Sequence, residues 1–253
     1  MVNVELIGGL GNNMFQYAIG KIIANTKEYN LNISNIHLLS KYFPNISNVI
    51  NKKCVLTNQL NVGYGSTTGY IQNCDIDAIL EHDGLINLRG FFQKHQFYTK
   101  FVDMLRSEFE YNSTNFSKSE PGDLVVHVRL GDYVSLNHFL QPHIYLNIIQ
   151  SIDYDRCVIV TDEIENPYLK EFLKLDNCII QHSNNIMQDF HTLKSAKNLI
   201  LSQSTFSWWA ALLGYQQQVF VPLHENGYPW KLTPVGDDID LIPTHSKYIK
   251  IKI

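Results

Sequence analysis

A histidine and an arginine interrupt the apolar run "VVHVRLGDYV" (125–134), whose Val125, Val126, Val128, Leu130 and Val134 are hydrophobic. With Pro121-Gly122 before it and Gly131 within it, the segment reads as a buried strand. Side chains alternate along a strand, so His127 and Arg129 share a side and Asp132 follows just past the end. A guanidinium beside a buried sheet needs a negative partner, because an unpaired charge is costly to desolvate. That partner is either the chain's own Asp132, closing the loop as an ion pair, or a ligand with phosphate-like oxygens that fit the planar fork.

Three further stretches carry chemistry. "GGLGNN" (8–13) lies between a strand and a helix, where Gly9 and Gly11 let backbone N–H groups approach a ligand and Asn12 and Asn13 present amides. The same residues also suit a tight turn with an asparagine helix cap. The dinucleotide fingerprint fails, since its third glycine position is Met14. In "QSTFSWWAALLG" (203–214), Ser204, Thr205 and Ser207 precede a helix whose first N–H groups form an anion site. Trp208 to Leu213 read as core. "TDE" (161–163) closes another strand, and its Asp162 either accepts from a base or ribose or caps the turn. "DDID" (237–240) has a DxD spacing that arises readily by chance, and the ten histidines show no metal-ligand spacing. No metal is expected.

The elements that must position these residues are clearest in the second half. A helix is expected from Pro142, with Tyr145, Ile148, Ile149 and Ile152 on one side. Strands follow at 157–161, 178–181, 199–202 and 219–222, with helices at 167–175, 189–197 and after 204, the last stopped by Gly214. Short links between alternating strands and helices imply a doubly wound parallel sheet with helices on both faces. In the first half, "VNVELI" is a strand, 14–29 a helix, "NIHLLS" a second strand, 85–92 a third, and 95–109 a helix. Residues 42–80 show no clear period and are assigned to loops and short strands. The polar segment 110–123 is the linker, so two α/β domains are expected, 1–118 and 119–253.

Composition narrows the function. At 253 residues and 45% hydrophobic content the chain can bury a sizeable core. A net charge of −4 without long charged runs argues against binding nucleic acid. No stretch approaches the roughly 18–20 apolar residues of a membrane span, and "MVNVELIGG" lacks the features of a signal peptide. Cys54, Cys74, Cys157 and Cys178 are scattered and read as free thiols in a reducing compartment. A cytoplasmic protein is expected, with a membrane-peripheral placement as the variant. Oligomeric state is left open.

In this order, "GGLGNNMFQYAIG", "RGFFQKHQFY", "HVRLGDYV", "TDE" and "STFSWWAALLG" closely resemble the bacterial and viral α-1,2-fucosyltransferases, a glycosyltransferase family 11-like group. The likeness continues to "DLIPTHSKYIKI" and covers nearly the whole chain. It departs at Leu130, Asn13 and Gln203, where Arg, Gln and Asn are usual. The resemblance implies a GT-B fold of two Rossmann-like domains with an interdomain cleft, an inverting reaction and no required metal or other cofactor. The N-terminal domain would serve the acceptor and the C-terminal domain the GDP-sugar. His127 and Arg129 would bind the GDP-fucose diphosphate, and Ser204, Thr205, Phe206 and Ser207 would line the phosphate and fucose end. Asn12 would touch the acceptor hydroxyl or the sugar, Asp189 would contact guanine, and Asp132 is the nearest candidate base. The partners are a nucleotide sugar and a galactose-type glycan. Transferases of another GDP-deoxyhexose such as rhamnose, and a non-catalytic sugar-nucleotide or glycan-binding module, are the alternatives.

Overall fold

The structure, a computed structural model, describes residues 1–48, 58–63, 76–181, 183–224 and 240–253. The chain divides into two units, Met1–Asn112 with Thr233–Pro243, and Ser113–Leu232 with Thr244–Ile253. Where the sequence suggests one boundary near 118, the chain leaves the first unit at Asn112 and visits it again before finishing in the second. Each unit is an α/β layer built on a parallel sheet.

In the first unit the order is β1 (Val2–Glu5), α1 (Leu10–Thr26), β2 (Leu31–Ser34), α2 (His37–Tyr42), β3 (Gln59–Val62), α3 (Ile76–Glu81), β4 (Leu85–Leu88) and α4 (Val102–Glu108). The sheet runs β2-β1-β4-β3. Val2, Val4, Ile33, Ile86 and Leu88 are buried on one face, and α1 packs on β1 and β2. Three expectations shift here. The second strand is 31–34 rather than "NIHLLS", because Asn35 adopts a positive φ of 60° and the chain turns directly into α2. The strand expected over 85–92 ends at Leu88. The helix expected over 95–109 is two 3-10 turns followed by α4. The His95 N–H is drawn to the Asp240 carbonyl at 2.6 Å, so tertiary pairing overrides the helical pattern at its start.

The other face of this sheet is polar. Asn32, Asn3, Asn87 and Asn61 lie in register on four adjacent strands. Asn32 Nδ2 donates to Asn3 Oδ1 at 3.1 Å, Asn3 to Asn87 at 2.7 Å, and Asn87 to Asn61 at 2.7 Å. Glu5 and Arg89 pair at 3.3 Å. The strands therefore alternate apolar and polar, unlike a sheet buried on both faces. A slip of one residue in any strand would break the amide ladder, so the ladder pins register as well as stabilising the sheet.

The second unit contains β5 (Asp123–Val128), α5 (Gly131–Ser135), α6 (Pro142–Ile149), β6 (Arg156–Thr161), β7 (Cys178–Ile180), α7 (Ile186–Ser195), β8 (Asn198–Ile200), α8 (Thr205–Leu213), β9 (Gln218–Leu223) and β10 (Tyr248–Lys252). The helix expected over 167–175 is a 3-10 helix, Pro167–Lys174. α7 starts before the expected 189, because the Asn185 side chain accepts from the Met187 N–H and caps the helix there. The sheet order is β10-β9-β8-β5-β6-β7. Read from β7, that is the 3-2-1-4-5-6 order of a doubly wound sheet, with its switch point between β5 and β8. β5 is buried along its whole length. Leu124, Val126 and Val128 pack with Ile148, Ile149 and Phe172, while α7 packs on β5 and β6 and against α8.

No helix among the described residues is long and apolar enough to cross a membrane. Cys157 and Cys178 are free thiols, the first buried and the second half-buried, in register on β6 and β7. Cys54 and Cys74 lie outside the described residues.

Asn87→Ala leaves an Asn3 donor and an Asn61 acceptor without their amide partner. It is expected to lower stability by about 1 kcal/mol, read as an earlier urea midpoint at unchanged slope. Asn61→Ala, at the exposed end of the ladder, should cost less than half of that. Equal costs would deny the ladder its role.

Candidate active site

Open α/β sheets bind ligands outside the carboxyl ends of their strands, at the switch point. In the second unit that point brings together the ends of β5 and β8, flanked by β6. Arg129 leaves β5 and meets two of the chain's own carboxylates. Its Nη2 donates to Asp132 and its Nη1 to Asp162, both at 2.5 Å. The guanidinium also lies 5.3 Å from the centre of the Tyr133 ring. Asp162 accepts from the Leu130 N–H at 2.8 Å as well, so it ties the end of β6 to the loop after β5. Of the two readings the sequence leaves for Asp162, contact with base or ribose and capping of the turn, the structure shows the carboxylate engaged by protein groups in the second manner. Gly131 sits against it, and a Cβ there would press on the Asp162 carboxylate. Asp132 differs, since its side chain is 60% exposed and its bond spans only one short turn. Leu130, where an arginine is usual, is buried in the core, which accounts for an apolar residue at that position.

His127 lies on the α7–α8 side of β5. Its Nδ1 is 2.5 Å from Ser202 Oγ, and its ring lies 6.0 Å from that of Phe206, which also packs on Phe190 at 5.3 Å. Burial first, and the Arg129 charge second, hold its pKa down to about 3. The imidazole is therefore neutral at physiological pH.

The loop into α8 uses its hydroxyls locally. Ser204 is the helix cap, accepting from the Phe206 N–H at 3.3 Å. Ser207, 0% exposed, donates to the Ser204 carbonyl at 3.2 Å. Ser207 thus supports the turn, where the resemblance implies a place at the phosphate and fucose end. Thr205 and Phe206 remain half-exposed at the helix start. Gln203 is buried, its amide against His224.

At the neighbouring end of β7, Asp189 sits in the first turn of α7 and accepts from Gln181 Nε2 at 2.7 Å. The Gln181 amide is itself oriented by Thr192 Oγ1 at 2.8 Å. A helix N-terminus usually favours a carboxylate, yet burial pushes Asp189 up to about 6, and the Asp162 charge adds to the rise. Ser202, Gln181 and Thr192 escape a reading of the sequence. Their only signal is position, just past a strand end or on the helix facing it.

In the first unit the switch point lies between β1 and β4. The helix starts four residues earlier than expected, so Gly11, Asn12 and Asn13 belong to its first turn rather than to a loop. Gly8, at φ +81°, makes the turn that only glycine takes easily, and Gly9 is a helix cap with no capping side chain. Both are exposed. Asn13 is buried and its Nδ2 donates to the carbonyls of Ile7 and Gly8, so it braces the turn rather than presenting an amide outward. Asn12 is half-exposed, and its Oδ1 accepts from Gln93 Nε2 at 3.2 Å.

Of "DDID", 237–239 lie outside the described residues. The Asp240 carboxylate receives Gln96 Nε2 at 2.7 Å and lies 3.5 Å from His95 Nε2, holding this segment to the first unit. No cluster of three potential metal ligands occurs among the described residues.

Comparison with known proteins adds an independent line. The sequence model of glycosyl transferase family 11 matches residues 1–226. An alpha-1,2-colitosyltransferase of Escherichia coli is 28% identical, the alignment covering 84% of this chain and 87% of that protein. The O-antigen biosynthesis glycosyltransferase WbnK of Escherichia coli is 22% identical over 82% of this chain and 88% of its own. Among solved structures, NodZ alpha-1,6-fucosyltransferase soaked with GDP-fucose is similar with a TM-score of 0.52 at 13% identity, covering 86% of this chain and 93% of that one. A mutant of Arabidopsis thaliana FUT1 in complex with GDP gives 0.53 at 11%, covering 86% and 69%. At such identities the structural likenesses establish a shared fold.

Asp189 supplies a prediction independent of any ligand. Its raised pKa means that the folded chain holds this proton more tightly than the unfolded chain does. The associated stability is present below about 4 and lost as pH rises through about 6. Asp189→Asn is therefore expected to melt later than wild type at pH 7.5, with the advantage shrinking toward pH 5. A difference that stays constant between those pH values would rule out the buried charge as its source.

Proposed function

The chain belongs to glycosyl transferase family 11, and on that premise we propose that it transfers L-fucose from GDP-fucose to a galactose-type hydroxyl, forming an α-1,2 linkage with inversion. The observation that carries this reading is the doubly wound sheet whose switch point collects Arg129, neutral His127 and the start of α8. Those are cationic and hydrogen-bonding groups suited to a diphosphate. The reading includes a GT-B arrangement, with residues of the first unit serving the acceptor and the second unit holding the GDP-sugar. It includes cytoplasmic action, which the free thiols of Cys157 and Cys178 suit.

The ion pairs of Arg129 suggest how a diphosphate enters. Asp162 anchors one edge of the guanidinium and fixes its plane. The pair with exposed Asp132 is solvent-screened and worth at most about 1 kcal/mol, so phosphate oxygens displace it at little cost. Arg129 and the N–H groups opening α8 then stabilise the charge that grows on the leaving diphosphate. Asp132, released from Arg129, becomes a free carboxylate and serves as the base for the acceptor hydroxyl. A single displacement needs no enzyme nucleophile and inverts the anomeric centre. Asp189 accepts the guanine N–H edge, a task for its ionised form. Asn12, held by Gln93 through its oxygen, offers its Nδ2 to the acceptor or the sugar. The reaction as read uses no metal, since Arg129 and helix N–H groups supply the positive potential.

A second reading, transfer of another GDP-linked deoxyhexose, is favoured by the 28% identity to an alpha-1,2-colitosyltransferase. It keeps Arg129, His127 and Asp189 in the same roles and changes only the sugar contacts.

Arg129→Lys is expected to remain folded while losing at least a hundredfold in kcat/KM, because a point charge replaces neither the two-carboxylate anchor nor the fork on phosphate. Near wild-type turnover would make the ion pairs merely structural. The donor is decided by incubating enzyme, a galactoside and either GDP-fucose or GDP-colitose in buffer containing EDTA, with product linkage read by NMR. An α-1,2-fucoside is expected. A β-linked product would overturn the mechanism, preference for the second donor would overturn the sugar, and an intact donor in both tubes would indicate a binding module.

A further inference from the structure

His127 is neutral, so it carries one ring proton, and the two possible positions have opposite consequences. With the proton on Nε2, the outer edge of the ring donates a hydrogen bond to an anion. With the proton on Nδ1, that edge turns a lone pair toward the same anion and repels it. The fold decides between them through a residue outside the motifs. Ser202 lies two residues past β8, is 5% exposed, and its Oγ is 2.5 Å from His127 Nδ1. Among the described residues this is the one hydrogen bond of the Ser202 hydroxyl, whereas its carbonyl accepts from the Ser204 N–H at 2.8 Å. A buried hydroxyl hydrogen needs an acceptor. If Nδ1 carried the proton, the hydroxyl hydrogen would have none. If Nδ1 is bare, hydroxyl and ring satisfy each other.

We propose that Ser202 is a positioning residue that fixes His127 as its Nε2–H tautomer, so that the imidazole meets the donor diphosphate as a neutral hydrogen-bond donor. The tautomer follows from the geometry alone, and the ligand half rests on the GDP-sugar reading above. Ring orientation is held from the other side by Phe206, itself packed on Phe190. These neighbours, like Ser202, carry no charge, and the cation acting on the ring is Arg129. Protonation is thereby opposed by burial and by Arg129, so the hydrogen bond to phosphate does not vary with pH across the neutral range. The arrangement leaves the full positive charge to Arg129 and gives His127 a directional role.

The test begins with wild-type protein labelled with ¹⁵N-histidine. The His127 Nδ1 signal is expected at an unprotonated, hydrogen-bonded position and Nε2 at a protonated one, both unchanged from pH 5 to 8. A protonated Nδ1, or a ring that titrates in that range, overturns the proposal. GDP affinity is then measured for Ser202→Ala and Ser202→Thr by calorimetry at pH 6 and 8. Ser202→Ala is expected to bind about fivefold more weakly at both values, the worth of one neutral hydrogen bond, and Ser202→Thr to stay within about twofold of wild type. Unchanged affinity in a folded Ser202→Ala removes the positioning role. Failure of the wild-type chain to bind GDP refutes the donor reading and the ligand half with it, while the tautomer assignment is still decided by the NMR signals.

Discussion

The central strand β5 can bury six consecutive residues only if the polar groups that follow are met by strands beside it. That constraint organises the whole second unit. β6 leads to Asp162, which receives both the Leu130 N–H and the Arg129 guanidinium. β8 leads to Ser202, whose hydroxyl meets His127 Nδ1. Parallel pairing in register is what brings these partners to one end of the sheet, because parallel neighbours finish on the same side. An antiparallel neighbour would deliver its end to the opposite edge. The chemistry at the switch point is thus a consequence of strand direction as much as of residue type.

Arg129 answers to two carboxylates that are not equivalent. Asp162 is braced by the backbone and is the less exposed of the two; Asp132 stands in solvent on a five-residue helix. A guanidinium held by one firm and one weak partner is oriented without being consumed. Were both partners buried, displacement by a ligand would leave an unpaired buried carboxylate, at a cost of several kcal/mol. Were neither present, the side chain would lose its preset plane and pay more rotamer entropy on binding. Asp189 shows the complementary economy: burial holds it near 6 against the usual preference of a helix N-terminus.

Much of this was legible in the sequence because it is local. Apolar runs, Pro at helix starts and short links reveal the second unit's strands and their parallel alternation, and "HVRLGD" marks the strand end that matters. What escaped is set by partners far along the chain. Asp240 pulls the start of the 95–109 segment out of an α-helix. Asn185 starts α7 early, a capping choice that only the folded loop reveals. β10 pairs with β9 through a short "YIKIK" that alternates too weakly with charge to stand out. The hydroxyls of "STFS" were visible, but not that Ser204 and Ser207 would spend themselves on the turn. The asparagines of the first unit looked like loop composition; in register across four strands they became a ladder.

The two switch points are built by contrasting devices, and the contrast bears on what each can hold. At the end of β1 the chain turns through exposed Gly8 and Gly9, with no side chain capping α1 and no cation among the polar side chains bracing the turn. Its resources are backbone N–H groups, amides and an Arg89 guanidinium already paired with Glu5, which suit neutral hydroxyls. At the ends of β5 and β8 the backbone is capped by Ser204, and the resources are a guanidinium, a neutral imidazole and a raised carboxyl group. Those suit an anion with a polar base attached. An anion placed at the first site would have to compete with Glu5 for the Arg89 guanidinium. A neutral sugar at the second would leave Arg129 with its carboxylates and gain little. The division of labour proposed for the two units rests on which side chains the two parallel sheets bring to their carboxyl ends.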